Sequence, residues 1–417
     1  MRTEDFEVLV IGGGTAGIAA AIMASRMGCQ TLLVERQGYL GGMATAALVH
    51  SLCGLYRIRT EPGVEYANHG FPREFAEALQ RSGASPGPVR MGRLDVLPHI
   101  PSGLARVADQ LCQAEAALTV WFHTEVFALN ATGAASWEAD LICRGTPVRI
   151  RAQAVIDTSG DGSAAALAGL PVETVPSHRF QRPAYIAGFQ GWPEFFFSEA
   201  GRLQLAHAMV RAIRDGVLVR GATGAQFRGS GRPGEAFCTI DLSGGADYDP
   251  HDMACLTRLE MEGRAIAEDL VRCLRASVPG LESIYLSQIP SRAGIRESRR
   301  VVTRQMLTGD ELLAGTRFPD RIAAAAWPME SRETATGPKW RFPEGDEPGW
   351  IPLGALRPVG WDHFFVAGRC LGATHEAQAS IRVMGTCLAT GAAAGVSAAG
   401  QLTDGEVSAA SVLASLA

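Results

Sequence analysis

Apolar residues fall along this chain in runs that alternate between two periods. Residues 7–11 (Glu-Val-Leu-Val-Ile) form a short apolar run that ends in three glycines, the pattern of a buried parallel strand. Residues 15–27 are rich in alanine, isoleucine and methionine and predict a helix. Residues 30–35 (Gln-Thr-Leu-Leu-Val-Glu) predict a second strand, so the first 35 residues read as a β-α-β unit.

Further on, 104–117 reads as a helix. Residues 118–129 and 137–150 read as strands flanking the turn Asn130-Ala131-Thr132-Gly133, and 154–157 as a buried strand that runs into Thr158-Ser-Gly-Asp-Gly162. From 171 to 250 the chain accumulates Phe, Trp, Pro and Gly with little helical period. One amphipathic helix follows, with Leu256, Leu259, Ile266, Leu270, Val271 and Leu274 on one face, and Pro279-Gly280 stops it. Residues 328–352 are polar, carry five prolines and read as a long loop, and 363–367 are a last apolar strand.

Composition narrows the class. With 417 residues, 47% hydrophobic and 19% charged, the chain is globular and large enough for two or three domains. A net charge of −5 gives no support for nucleic-acid binding, even though every basic residue except Lys339 is arginine. The nine cysteines are scattered and form no CxxC pair, which argues against a disulfide framework or a zinc knuckle and fits a reducing cytoplasm. No signal peptide is expected from the polar first residues. No run of ~20 apolar residues reads as a membrane span; 387–399 is too short and too rich in Gly and Ala.

The first chemistry-bearing motif is Gly12-Gly-Gly14-Thr-Ala-Gly17, which fits GxGxxG. It follows a strand and opens a helix, and Glu35 ends the next strand eighteen residues after Gly17. In such a unit Gly12 permits the tight turn, Gly14 lets a pyrophosphate approach the backbone, and Gly17 lets helix and strand pack closely. The helix N-terminus offers free N–H groups to the phosphates, and Glu35 can accept the adenosine ribose hydroxyls. A dinucleotide site is therefore expected. Its domain comprises residues 1–171 and 351–417, and a substrate domain is inserted at 172–350.

A second glycine pair follows in Arg36-Gln-Gly-Tyr-Leu-Gly41-Gly42-Met-Ala-Thr45. The C-terminal stretch Phe364-Phe-Val-Ala-Gly-Arg-Cys-Leu-Gly-Ala-Thr-His-Glu-Ala-Gln-Ala-Ser-Ile-Arg-Val-Met-Gly-Thr-Cys387 joins a strand, a loop and a helix of small residues. Both resemble FAD fingerprints of the glutathione-reductase-like superfamily. Gly368-Arg369-Cys370, Ala373-Thr-His375-Glu376-Ala377, Ser380, Arg382-Val-Met384 and the run Gly294-Ile-Arg-Glu-Ser-Arg299 resemble a bacterial family of FAD-dependent oxidoreductases distantly related to fumarate reductase flavoproteins. These blocks cover about a quarter of the chain and specify the fold better than the substrate.

The resemblance implies an α/β fold. A Rossmann-like FAD-binding domain with a parallel sheet, discontinuous in sequence, would carry an inserted α+β substrate domain. It implies non-covalent FAD on Gly12, Gly14, Thr15, Ala16, Gly17, Glu35 and Arg36, and on Gly41, Gly42, Met43, Ala44 and Thr45. Val126, Ser159, Gly160 and Asp161 would meet the adenine and pyrophosphate, with Asp161 alternatively a cap for the helix near Ser163. Gly368, Arg369, Ser380, Val383, Met384 and Gly385 would hold the flavin end. Gly385, Ala389, Ala392 and Gly395 recur at helical spacing, which suits close approach to a sheet or cofactor and equally suits plain core packing.

A flavin carries hydride chemistry itself, so the protein's part is position, electrostatics and often one acid or base. His375 is the leading catalytic candidate, its alternatives being a cofactor contact or a structural hydrogen bond. Arg296 either clamps a substrate carboxylate or pairs with Glu297 and Asp310. Arg382 either meets substrate or braces the flavin loop. His50 follows the glycine pair and is placed to face the cavity, although relatives that link FAD to histidine do so from another position.

The reading is an FAD-dependent dehydrogenase or oxidase acting on a small molecule: an alcohol, an amine or a saturated C–C bond. The alternative is an NAD(P)H-dependent flavin reductase or monooxygenase; a third, a tRNA-associated flavoprotein, rests only on the arginine run. No metal, nucleic acid or membrane partner is expected, and the aromatic insert suits a homodimer.

Overall fold

The computed structural model describes residues 2–61, 63–333 and 337–416. Strand Arg2–Ile11 buries its last four residues and pairs in parallel with Thr31–Val34 on one side and Thr146–Asp157 on the other. Across the sheet the order is Leu118–Trp121, Thr31–Val34, Arg2–Ile11, Thr146–Asp157, Ser136–Cys143, Thr124–Gly133. The long strand Thr146–Asp157 forks: its first residues pair antiparallel with Ser136–Cys143, its last in parallel with Phe364–Val366. The parallel strands therefore end together at Ile11, Val34, Asp157 and Val366, and their carboxyl ends form one rim.

Three expected boundaries move. Residues 118–129 are two strands on opposite sides of the sheet, because the chain turns at His123, whose φ is 53°. Residues 137–150 likewise split at Arg144-Gly145, both with positive φ, so the hairpin turns lie at 133–136 and 144–145. The stretch read as a loop at 328–352 contains a hairpin of Met329–Ser331 with Lys339–Arg341 and a strand Gly349–Pro352; its residues 334–336 lie outside the described ones.

Helix Thr15–Arg26 packs against the all-but-buried helix Met384–Asp404. Their contact is backbone to backbone: a Cβ on Gly391 would lie 2.1 Å from the Ala16 carbonyl oxygen, and one on Gly395 2.2 Å from that of Ala20. Gly385 instead meets the backbone of Gly54 and Leu55, so small residues serve two different packing faces of this helix. No single helix among the described residues is long and apolar enough to cross a membrane.

The insert has its own core, drawn from Phe180 to Ala293. A four-stranded antiparallel sheet, ordered Gln226–Gly229, Glu235–Asp241, Ala184–Gln190, Tyr285–Gln288, is covered by helix Met253–Ser277, whose Gly263 sits against the Tyr185 ring. Helix Glu199–Arg214, capped by the Ser198 hydroxyl on the Gly201 N–H, was not legible in sequence. Its exposed face also carries apolar residues, Leu203 and Val210, which blurs the helical period. Val301, Leu307, Leu312, Phe318, Ile322, Ile351 and Leu353 pack into the first core, although 301–350 falls within the stretch read as the insert.

Candidate active site

At the rim of the parallel strands a cleft is lined by Gly12, Gly14, Thr15, Ala16, Glu35, Arg36, Gly41, Gly42, Met43, Val126, Ser159, Gly160, Asp161, Gly368, Arg369, Arg382 and Met384. Two glycine turns stand back to back: the Gly41 N–H donates to the Gly13 carbonyl at 2.8 Å, and a Cβ on Gly42 would press on the Gly14 Cα at 2.8 Å. Glu35 braces this turn, its Oε2 accepting from the Gly13 N–H and its Oε1 from the Gln37 N–H, both at 2.8 Å. Gly17 has no room for a side chain, since a Cβ would sit 1.8 Å from the Gly12 carbonyl oxygen.

Under the cleft, Asp157 is wholly buried and orders the return of the chain. Its Oδ1 accepts from the Ser159 N–H and hydroxyl, and its Oδ2 from the Ala165 N–H. Asp161 is no helix cap; that place is taken by Gly162. The Asp161 Oδ1 accepts from Arg369 at 2.6 Å and from the Ser298 hydroxyl at 2.8 Å. Burial would raise its pKa, but Arg369, Arg292 and Arg36 outweigh burial and hold it at about 2.

A second cavity of about 480 Å³ adjoins the cleft and shares Met43, Arg369, Arg382 and Met384 with it. Its apolar lining is Leu94, Val96, Trp327, Trp340, Phe342 and Val383, with Trp327 and Trp340 edge to face at 5.9 Å. Its charged lining is rich in arginine. Arg296 and Arg332 straddle Asp241 at 2.8 and 2.6 Å, and Arg332 also reaches Glu330 at 2.6 Å. Arg296 thus lines the cavity as expected, but its partner is Asp241 rather than Glu297 or Asp310.

Arg382 belongs to both cavities. Its Nη2 contacts only neutral acceptors, the Gln181 side-chain oxygen at 3.5 Å and the Glu330 carbonyl at 3.3 Å. Burial lowers its pKa to about 10, with Glu330 opposing. The helix behind it, Met384–Asp404, begins without a side-chain cap.

His375 lines neither cavity. It is buried between two carboxylates, Nδ1 at 2.8 Å from Glu297 and Nε2 at 2.7 Å from Glu333. Burial would lower its pKa; the two carboxylates, Glu297 first, outweigh that and raise it. Glu297 in turn pairs with Arg300 and accepts from the Gln181 N–H, so His375 braces the residue on which Arg382 rests. His375 opens the helix His375–Ile381 that follows the Gly368 loop, and its ring lines neither cavity.

Other expected contacts also serve packing rather than the cleft walls. The Thr45 hydroxyl donates to the Leu40 carbonyl, and that of Ser380 to the Trp327 carbonyl. Ala44 is fully buried, Val383 lines only the second cavity, and Gly17 and Gly385 are contact glycines.

Sequence reasoning missed Arg292, which lines the cleft from the insert's end of the chain. Its signal was the dense arginine run, from which Arg296 was singled out. His50 lines the second cavity, stacked on Phe237 at 4.7 Å, with burial holding its pKa at about 4.

The FAD dependent oxidoreductase family matches residues 7–414. The chain belongs to that family. Leghemoglobin reductase of Vigna unguiculata is 39% identical over 75 residues, 16% of this chain and 14% of that protein. A tRNA uridine 5-carboxymethylaminomethyl modification enzyme of Wolinella succinogenes is 46% identical over 62 residues, 12% of this chain and 10% of that one. The matched stretches thus span a small fraction of these relatives' lengths. Among solved structures, a geranylgeranyl bacteriochlorophyll reductase-like protein of Thermoplasma acidophilum superposes with a TM-score of 0.47 at 13% identity, covering 99% of this chain and 82% of that one. A p-nitrophenol 4-monooxygenase of Pseudomonas putida gives 0.47 at 12%, covering 100% and 84%.

The residues of this FAD dependent oxidoreductase fit its cofactor. A Cβ on Gly14 would stand in open space, its nearest neighbour the Gly42 Cα at 4.0 Å, so the backbone there is bare toward the cleft. Helix Thr15–Arg26 starts at that residue with no side-chain cap, which leaves N–H groups for phosphate. Arg292 has no carboxylate partner among the described residues and faces the same cleft.

Proposed function

We propose that the chain is a dehydrogenase or oxidase that binds FAD non-covalently in the cleft and a small organic substrate in the second cavity. The observation that carries this reading is the seam: Met43, Arg369, Arg382 and Met384 line both spaces, so a ligand in one borders a ligand in the other. Bound FAD would accept a hydride from the substrate.

The chain's own residues would do the rest. Gly12, Gly14 and the first turn of helix Thr15–Arg26 would receive the pyrophosphate and Glu35 the ribose. Arg292 would add a cation from the insert. Arg382 would supply positive charge at the seam, and Arg296 would be held still by Asp241. His375 would act as a positioning residue through Glu297 and Gln181. The cofactor unit would comprise residues 1–171 and 351–417 and the substrate-facing unit 172–350, with Val301 to Ile322 of the latter packed into the cofactor unit's core. The two fingerprints support a place within the glutathione-reductase-like superfamily, distantly related to fumarate reductase flavoproteins. Nine unpaired cysteines support a reducing, cytoplasmic setting.

One observation favours the alternative of an NAD(P)H-dependent reductase or monooxygenase. A further cavity of about 510 Å³ beside the cleft is lined by Arg36, Arg292, Arg299 and Arg369 against the carboxylates Glu125, Asp161 and Glu260, a net cationic surface suited to a phosphate-bearing nicotinamide. Mixing the purified protein anaerobically with NADH, then NADPH, and following absorbance near ~450 nm separates the two. An unchanged flavin spectrum supports the dehydrogenase or oxidase; fast bleaching replaces it with the alternative. No flavin absorbance, even after reconstitution with FAD, sinks both.

A further inference from the structure

The second cavity has an internal charge imbalance. Six arginines line it: Arg93, Arg228, Arg296, Arg332, Arg369 and Arg382. Four have carboxylate partners. Arg296 and Arg332 have Asp241, Arg332 also has Glu330, Arg369 has Asp161, and Arg93 reaches Asp346 at 3.7 Å. Two have none among the described residues. Arg228 meets only the Met91 sulfur and the Gln226 side-chain oxygen. Arg382 meets only the two neutral oxygens named above, and its Nε is buried without a partner.

Arg382 feels the Glu330 carboxylate but has none within hydrogen-bond range among the described residues. A buried guanidinium left so is costly, and the cost is relieved when an anion arrives with matching fork geometry. The free guanidinium sits at the border with the flavin cleft. Part of the wall is indole and phenyl surface whose polar neighbours are already engaged: Trp327 Nε1 donates to Glu330, and Arg93, lying over Phe342, has Asp346. The ligand that satisfies both features is amphipathic, with one negative charge and a broad apolar body. A phosphate dianion would bring more charge than one buried guanidinium balances.

Resting on the reading of this cavity as the substrate site, we propose that the substrate is a bulky apolar or aromatic carboxylate whose carboxylate group lands on Arg382. Its apolar body lies against Trp327, Trp340 and Phe342, and Arg228 adds a weaker second pull. The carboxylate binds and orients; it is not itself changed.

The test compares two probes of one shape, 1-naphthaleneacetate and its neutral amide, on the flavin-loaded protein, by calorimetry and by perturbation of the flavin absorbance. The acid is expected to bind at least ~10-fold tighter than the amide, about 1.4 kcal/mol. Arg382→Gln, compared with the wild type at equal flavin loading, should erase that preference, the acid losing more affinity than the amide. Arg382→Lys, which keeps the charge, should retain part of it, and Arg228→Gln should reduce it ~2–3-fold.

Equal or tighter binding of the amide overturns the proposal. So does a preference that survives Arg382→Gln, or binding of neither probe. Should Arg382→Gln fail to fold, Arg382→Lys and the probe pair on the unaltered protein still decide. Acid binding seen by calorimetry in a protein that cannot take up flavin would sink the FAD reading and keep the anion site, so the two failures are distinguishable.

Discussion

The nucleotide cleft and the cavity beside it are built in opposite ways. The cleft is made of backbone: two glycine turns pressed together, strand ends, and helix starts without side-chain caps. Its one closed ion pair is Asp161 with Arg369, while Arg36 and Arg292 face the cleft with no salt-bridge partner among the described residues. The cavity is made of side chains from at least seven separate stretches, and two of its cations are left open. A backbone cradle can receive the same phosphate and ribose in many relatives. A side-chain cavity can be rebuilt without disturbing that cradle, which is where substrate choice can change.

The largest expected effect tests the backbone side. Gly391→Val would push a side chain into the Ala16 carbonyl and separate the two central helices. We expect a loss of about 3 kcal/mol or more in urea unfolding, with flavin lost in parallel. A stable, flavin-loaded variant would show that this contact does not set the cleft.

Acid should act next. His50 and His99 are buried, and burial holds their pKa values at about 4 and about 3, below the ordinary 6.5. The unfolded chain therefore takes up protons first as pH falls below 6.5, and stability drops with it. The loss should be on the order of 2 kcal/mol for each histidine by about pH 5, read as a shift in urea midpoint. His99→Phe should flatten that slope, and an unchanged slope would assign it to other groups.

His375→Gln should cost about 2 kcal/mol, because it removes the bridge between Glu297 and Glu333. The sign follows from the raised pKa: the contribution is complete below pH 6.5 and fades as pH rises through the folded value. The gap between wild type and variant should therefore be wider at about pH 6 than at about pH 9. Normal stability with lost turnover would return His375 to a catalytic role.

The smallest effect sharpens the contrast most. Gly14→Ala adds a methyl group that meets no protein atom closer than 4.0 Å, at a φ of −70° that alanine adopts freely. Stability should stay within about 0.5 kcal/mol while FAD affinity falls ~10-fold, measured by flavin fluorescence titration. Gly17→Ala, one helical turn on, should instead unfold the unit, since its methyl would meet the Gly12 carbonyl.

Much of the cleft was legible because its residue types have local consequences. A glycine at positive φ, as at Gly12, Gly41 or Gly368, is written into the sequence at the place where the turn occurs. The misreadings have equally local reasons. His123 adopts positive φ without being glycine, so residues 118–129 gave no sign of their break, whereas in 137–150 Gly145 beside Arg144 does mark the turn. Trp327, Trp340 and Phe342 lay in or beside a proline-rich stretch that read as a loop, and nothing nearby in sequence marks them as one wall.

Sequence alone determined the β-α-β unit, the glycine turns, the acidic residue after the second strand and the C-terminal fingerprint, because each is set by residues a few positions apart. Only the tertiary structure decided which histidine is braced away from the site and which arginine stays open. Arg296 is closed by Asp241 and Arg382 is not, and nothing within a few residues of either distinguishes them. Charge pairing acts through space between segments that the chain keeps far apart, so it is settled by packing rather than by local sequence.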